Sequence, residues 1–208
     1  MRKGFGVLLM LIGAAMLLCA GWMLKTNDQE ERAAGTSAER VLEAVEKQVA
    51  AEILNPTPTE NANAVDGNVL PTAVPEMPTI EIDGNEYIGY LEMPTIEIKL
   101  PIMSDWSYDQ LKIAPCRYWG SAYDDTLVIL GHNYRRHFHK IKQLEIGDPV
   151  QFIDANGNIY AYRVAEMEVL NPNEVEKMVA SDYALTLFTC TYGGTARQAV
   201  RCERVLTF

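Results

Sequence analysis

Residues 4–24 form a run of 21 positions without a single charge, preceded by Arg2 and Lys3. At about 1.5 Å rise per residue, a helix of that length crosses a hydrocarbon core of roughly 30 Å. The apolar part of a cleaved leader is usually about 7–15 residues, shorter than this run. The run shows no small-x-small cleavage pattern, and Cys19 follows Leu18 and not a small residue. The pattern predicts an uncleaved, single-pass anchor over residues 1–24. The basic flank keeps the N-terminus in the cytoplasm and places the remainder outside the cell.

The pattern then changes twice. In 25–87, Thr36 and Glu39 form a capping box, and Val41, Leu42, Val45, Val49 and Ile53 recur at helical spacing. A short amphipathic helix over 37–54 is predicted. Pro56, Pro58, Pro71, Pro75 and Pro78 follow, and each lacks an amide donor, so 55–78 reads as an extended linker within a stalk. A seven-residue segment, Glu-Met-Pro-Thr-Ile-Glu-Ile, occurs at 76–82 and again at 92–98. Two copies are too few for a solenoid and predict two similar strands. The sharper alternative is that the first copy competes for the second's place in a sheet or covers a site as a lid.

From about Tyr87 short β-rich runs alternate with turns. Strands are predicted over 88–93, 96–100, 126–131, 149–154, 159–168, 184–190 and 196–205. Asn156-Gly157 is a hairpin signal between two of them. Short helices are predicted over 136–144 and 173–180. Many short strands and few helices point to a closed or nearly closed antiparallel barrel or a sandwich over 88–208, long enough for one core without metal or disulfide support.

Charge sharpens the division. Residues 25–90 hold 13 of the 28 acidic residues and 4 of the 18 basic ones, so most of the net charge of −10 belongs to the stalk. The barrel segment is only mildly acidic, which offers no basic surface for nucleic acid. Cys116, Cys190 and Cys202 lie beyond the apolar run. An odd number of exported cysteines leaves at least one thiol unpaired within the chain, and no CxxC spacing signals a zinc or redox motif. The sequence leaves open whether Cys116 and Cys202 pair.

Two strand ends carry candidate chemistry. One is the apolar run 127–130 followed by Gly131-His132-Asn133; the other is 185–189 followed by Cys190 and the turn Thr191-Tyr192-Gly193-Gly194, with Arg197 opening the next strand. A cysteine at a strand end is held by the sheet yet exposed at the rim. Thiol attack on an amide needs a thiolate and an acid to protonate the leaving amine. A permanently charged arginine can stabilise a developing oxyanion or hold a substrate backbone. Alone, such a cysteine is usually a small buried hydrophobe; the combination with His132 changes the reading. His132, His137 and His139 do not form a metal pattern, and no metal or cofactor is expected.

Thr186-Leu-Phe-Thr-Cys190 resembles the TLxTC signature of sortases. Gly131-His132-Asn133 resembles the family's histidine segment, and Leu144-x-x-Gly147-Asp148-x-Val150 the LxxGD that follows it. Tyr90-Leu-Glu-Met-Pro94 with Lys99-Leu-Pro101-Ile, and Gly120-Ser121, are similar to the family's opening strands and the approach to its histidine. The resemblance covers about 88–208 and implies an eight-stranded β-barrel and a cysteine transpeptidase. Such an enzyme cleaves an LPxTG-like sorting signal after its threonine and passes the acyl group to an amine of a lipid-linked peptidoglycan precursor or of a pilin lysine. It implies Cys190 as nucleophile and His132 as general acid. For the arginine, Arg197, Arg201 and Arg204 compete. Alternation puts Arg197 and Arg201 on one face, and Arg197 lies nearest the rim, so Arg197 is preferred. Thr189, Thr191 and Asn133 are expected to contact substrate or support these groups. The segment 167–184 is expected to wall the peptide groove. An exported cysteine peptidase that only hydrolyses, and a non-catalytic barrel that binds wall peptides, are the alternatives.

Overall fold

The computed structural model describes residues 2–54, 76–174 and 176–205; most of the proline-containing linker lies outside the described residues. Helix α1 (Arg2–Leu54) is followed by β1 (Ile80–Ile82), β2 (Asn85–Met93), β3 (Ile98–Met103), α2 (Tyr108–Leu111), β4 (Cys116–Trp119), β5 (Leu127–Leu130), β6 (Pro149–Asp154), β7 (Ile159–Leu170), α3 (Glu176–Val179), β8 (Leu185–Cys190) and β9 (Arg197–Arg204). The strands run in the order β1-β2-β3-β4-β5-β8-β9-β7-β6, and β6 also pairs with β2. That second pairing closes β2 through β9 into an eight-stranded barrel and leaves β1 as an added edge on β2.

Alternation along the strands builds the interior. Leu127, Ile129, Leu185, Leu187, Val200 and Cys202 point inward and meet Phe152, Tyr162 and Val164. The segment after β5 caps one end of the barrel: Phe138, Ile141 and Leu144 drop into the same core from a 3-10 turn (Phe138–Gln143). Gly131 permits this closure, because a Cβ there would fall 2.6 Å from the Phe138 ring. Outside the barrel a second apolar layer, with Val128, Phe188, Ala199, Leu170 and Tyr118, is covered by Met178 and Val179 of the β7–β8 connection.

The repeat does not give two similar strands. Its first copy supplies β1, whereas Pro94 in the second opens a 3-10 turn and Glu97 adopts a left-handed φ of 53°. In the closed ring β2 and β8 lie on opposite sides, so β1 sits across the barrel from Cys190 and is not placed as a lid.

The larger departure from expectation is α1, which continues through 25–54 where a stalk with a short separate helix was predicted. Ala34, Ala38, Val41, Val45 and Val49 are buried, a stripe at three- and four-residue spacing. Val41, Val45 and Val49 pack with Tyr87, Met103, Leu111, Ala114 and Cys116. Thr36 does not cap a helix start: its hydroxyl donates to the Arg32 carbonyl one turn earlier, at 3.1 Å, and the helix runs on. Val45→Asp buries a charge in this seam and is expected to undock the helix, read as loss of amide-exchange protection over 38–49 by at least about 2 kcal/mol; unchanged protection would mean the helix is a free stalk.

Candidate active site

The nucleophile candidate stands at the end of β8, where the strand leaves the sheet. Leu185 and Leu187 face the core, so Thr186, Phe188 and Cys190 face outward. Cys190 is half-buried with a free thiol. Across the antiparallel β8–β9 pair its register partner is Arg197. The intervening turn is braced by Thr191, whose amide donates to the Ala196 carbonyl at 3.0 Å and whose hydroxyl accepts from the Ala196 amide at 3.0 Å. On the other flank β5 runs parallel to β8 with Leu130 beside Phe188, and the Gly131 amide donates to the Phe188 carbonyl at 3.1 Å. The recorded pairing ends there, and His132 follows two residues after β5, at the same end of the barrel as Cys190. Cysteine, histidine and arginine thus arrive at one rim from three neighbouring strands.

The two arginines that shared a face in the sequence differ in their surroundings. Arg197 is half-buried, and its Nη1 donates to the Gly194 and Ala196 carbonyls at 3.2 and 3.1 Å. The remainder of its planar fork leaves donors beyond those two bonds. Arg201 is 2 % exposed and committed elsewhere. It donates to Thr186 Oγ1 at 3.0 Å, to Glu168 Oε1 at 2.7 Å and to the carbonyls of Lys177 and Met178. It ties β7, β8 and α3 together beneath the outer apolar face. The first threonine of the TLxTC run is one anchor of this network, which the sequence reading did not single out.

The supporting candidates separate in the same way. Thr189 lies on the inward face, 3 % exposed, and its hydroxyl has no hydrogen-bond partner among the described residues. Asn133 Oδ1 lies 3.0 Å from His139 Nδ1 and stabilises the loop after His132. Cys116 and Cys202 are both free thiols, buried in different clusters, and burial pushes each up to about 12. Neither has the exposure of Cys190.

The His132 ring stacks at 4.6 Å from the Tyr134 ring. Burial, then the positive charge of Lys112, lowers the His132 pKa, while Glu30 on α1 works against them. Behind it His137 is fully buried, and among the described residues neither ring nitrogen makes a well-formed hydrogen bond; burial, then the nearby His132, pushes it down to about 4, against the opposing pull of the Ala34 backbone. Helix α1 grips this loop directly. Glu31 Oε1 accepts from the Arg135 amide at 2.6 Å, and Glu39 pairs with Arg136 at 2.8 Å. Gly35 gives the Arg136 stem its place, since a Cβ there would fall 2.1 Å from Cδ.

The sign of the two flanking charges yields a pH test. Removing Lys112's charge with Lys112→Gln favours the imidazolium and should move the His132 limb of the activity profile to higher pH. Glu30→Gln should move it lower. Both shifts should shrink at high salt, because Lys112 is solvent-exposed. Titrating the imidazole by NMR in each variant checks the assignment.

The comparisons with known proteins bear on the family and the fold. A family model described as the sortase domain matches residues 91–205. Sortase C1 of Streptococcus agalactiae is 30% identical with a TM-score of 0.53, over 62% of this chain and 72% of that one. Sortase C1 of Streptococcus suis is 28% identical with a TM-score of 0.52, over 59% of this chain and 74% of that one. A sortase D5 transpeptidase of Clostridium perfringens shares the fold at 22% identity and a TM-score of 0.52, over 59% of this chain and 81% of that one. No curated protein matches the chain. The closed eight-stranded barrel is of the sortase type. The chain belongs to the sortase family, whose members are cell-wall transpeptidases.

Proposed function

We propose that this chain is a membrane-anchored cysteine transpeptidase that cleaves an LPxTG-like C-terminal sorting signal through a thioester on Cys190. Residues 1–24 are the anchor with its N-terminus in the cytoplasm, and 88–208 are the extracellular catalytic barrel. The observation that supports the reading is the register that sets Cys190 opposite Arg197, with His132 following the parallel strand β5 at the same end of the barrel.

The Cys190 thiolate adds to the carbonyl carbon of the signal's threonine. Arg197 stabilises the oxyanion, with help from a backbone amide at the rim. Collapse breaks the peptide bond, and His132 as imidazolium gives its proton to the departing amine. The acyl-enzyme is then attacked by an acceptor amine, whose proton passes to His132 as the thiolate leaves. The acceptor is an amine of a lipid-linked peptidoglycan precursor or a pilin lysine, and the donors are surface proteins bearing the sorting signal. Met178 and Val179 of the β7–β8 connection pack on the outward face of β8 beside Cys190, which supports that connection as a wall of the peptide groove.

Incubation with a panel of sorting-signal peptides and intact-mass measurement tests the reading. The expected result is an acyl adduct that hydroxylamine removes and an added amine resolves to a new amide. Turnover to acid product only, unaffected by amine, would make the chain a peptidase. No adduct across the panel would leave a wall-peptide-binding barrel.

A further inference from the structure

Helix α1 joins the apolar run to the catalytic rim without a break, and that fixes a distance. The run ends at Leu24, and α1 stays helical to Leu54. Residues 10–25 of α1 are covered by nothing in the barrel, and every one of them is exposed. Contact begins at Glu30, whose charge acts on His132, Tyr134 and Lys112, and at Glu31, which holds the Arg135 amide. Leu24 and Glu31 are seven positions apart, about 10 Å along a helix axis.

The other end of the helix supplies the opposite marker. Ile53 lies against Gly157 in the β6–β7 hairpin. That hairpin is at the far end of the barrel from the rim: Glu92 pairs with Gln151 toward the capped end, and Gly89 with Asp154 at the hairpin end. Leu24 and Ile53 are 29 positions apart, about 44 Å along the axis. The barrel therefore hangs from the helix with the His132–Cys190 rim toward the apolar run and the 154–158 hairpin away from it.

We infer that the rim around the His132 loop is a bilayer-facing surface, held at the outer edge of the lipid headgroups by α1. This rests on the reading of residues 4–24 as a membrane span. The headgroup region adds roughly 5–8 Å to each side of the hydrocarbon core, so a loop about 10 Å beyond the core's edge lies just outside the headgroups, within side-chain reach of them. A tilt of about 20°, usual for such spans, shortens the projected distance by less than about 1 Å. The side chains offered there suit the site: Arg135 is 84% exposed, and the exposed Lys112 adds a second cation. Docking of α1 through Ala34, Ala38, Val41, Val45 and Val49, with ion pairs from Glu31 to Arg135 and from Glu39 to Arg136, keeps the barrel from swinging about the span. The partner of this surface is the membrane that holds α1, and the consequence is a nucleophile that meets bonds emerging just above the lipid.

Depth-resolved quenching of the full chain in phosphatidylcholine–phosphatidylglycerol vesicles tests this. In a Cys19→Ser, Cys190→Ala background, Trp22→Cys, Arg135→Cys, Lys112→Cys and Asn156→Cys each take one environment-sensitive fluorophore. Cys116 and Cys202 are fully buried and stay unlabelled. Arg135 and Lys112 pair at the surface, and in Arg135→Cys Glu31 still accepts from the amide of residue 135 while the apolar seam and Glu39–Arg136 hold α1, so the fold and the docking persist. With a headgroup nitroxide lipid, strong quenching is expected at 22, 135 and 112. Quenching at 156 should be lower by about threefold or more, given axial separations of roughly 10 and 40 Å. Quenching at 22 with 135 and 112 no higher than 156 would overturn the inference while leaving the span intact. Equal, strong quenching at all four would also overturn it, since the barrel would then lie on its side. No quenching at 22 would remove the span itself, and the inference with it.

Discussion

Cys190→Ala is expected to abolish both the acyl adduct and all turnover of a sorting peptide, with the barrel still folded. His132→Ala is expected to lower kcat by about 10²–10⁴-fold, the range for loss of a positioned proton donor. The two losses have different signatures. Without Cys190 no bond to the acyl group can form, so neither adduct nor product appears. Without His132 the thiol and the oxyanion donors remain, and the missing proton can come from solvent or a better leaving group. An activated ester, whose departing alkoxide needs less protonation, should therefore recover much of the loss in His132→Ala and none in Cys190→Ala. Equal failure of both substrates in His132→Ala, with unchanged thermal unfolding, would assign His132 to something other than leaving-group protonation. Cys116→Ala and Cys202→Ala serve as controls, because both thiols are buried in core clusters away from the rim. Their effect should fall on stability and not on the adduct.

The barrel and the strand ends that carry the candidate residues were legible in the sequence, whereas the elements that depend on distant partners were not. Cys190 and His132 could be found because each follows an apolar run that ends on a turn, a pattern with local causes. The strands 149–154 and 184–190 were legible for the same reason: alternation and an Asn-Gly turn act within a few residues. What escaped depends on distant partners. Strand β4 has four residues, with half-buried Arg117 and exposed Trp119, and it exists because Met103 and Leu130 offer edges on either side. The continuity of α1 was hidden by Thr36 and Glu39, which mimic a helix start. Only the barrel surface under Ala34 and Ala38 makes it favourable to continue, and the hydroxyl of Thr36 then turns back to Arg32. The division of labour between Arg197 and Arg201 was likewise invisible to alternation, which places them on one face. It is set by what covers that face: the open rim at one position, and Lys177, Met178 and Glu168 at the other.

That division predicts two failures of different kinds from the same chemical change. Arg197→Ala is expected to lower kcat by about 10²–10³-fold, the usual loss when one oxyanion donor is removed. The unfolding midpoint should barely move, because among the described residues Arg197 bonds only to carbonyls of its own turn. Arg197→Lys should recover little, since a point charge on a flexible stem does not reproduce a planar fork of donors. Arg201→Ala should instead destabilise the barrel by about 3–5 kcal/mol, the range for breaking a buried charge pair by deleting one partner. The Arg201 side chain is 3% exposed, and its loss takes a donor from the Thr186 hydroxyl and two backbone carbonyls and a partner from Glu168, itself 29% exposed. The connection 171–184 is then released from β8 and β9, so peptide binding weakens and KM rises along with the loss of fold. Paired measurement separates the two: kcat with an unchanged melting temperature for Arg197, melting temperature and KM for Arg201. A fully active Arg197→Lys together with a folded but inactive Arg201→Lys would exchange the roles, and the oxyanion donor would then have to reach the rim from beneath α3.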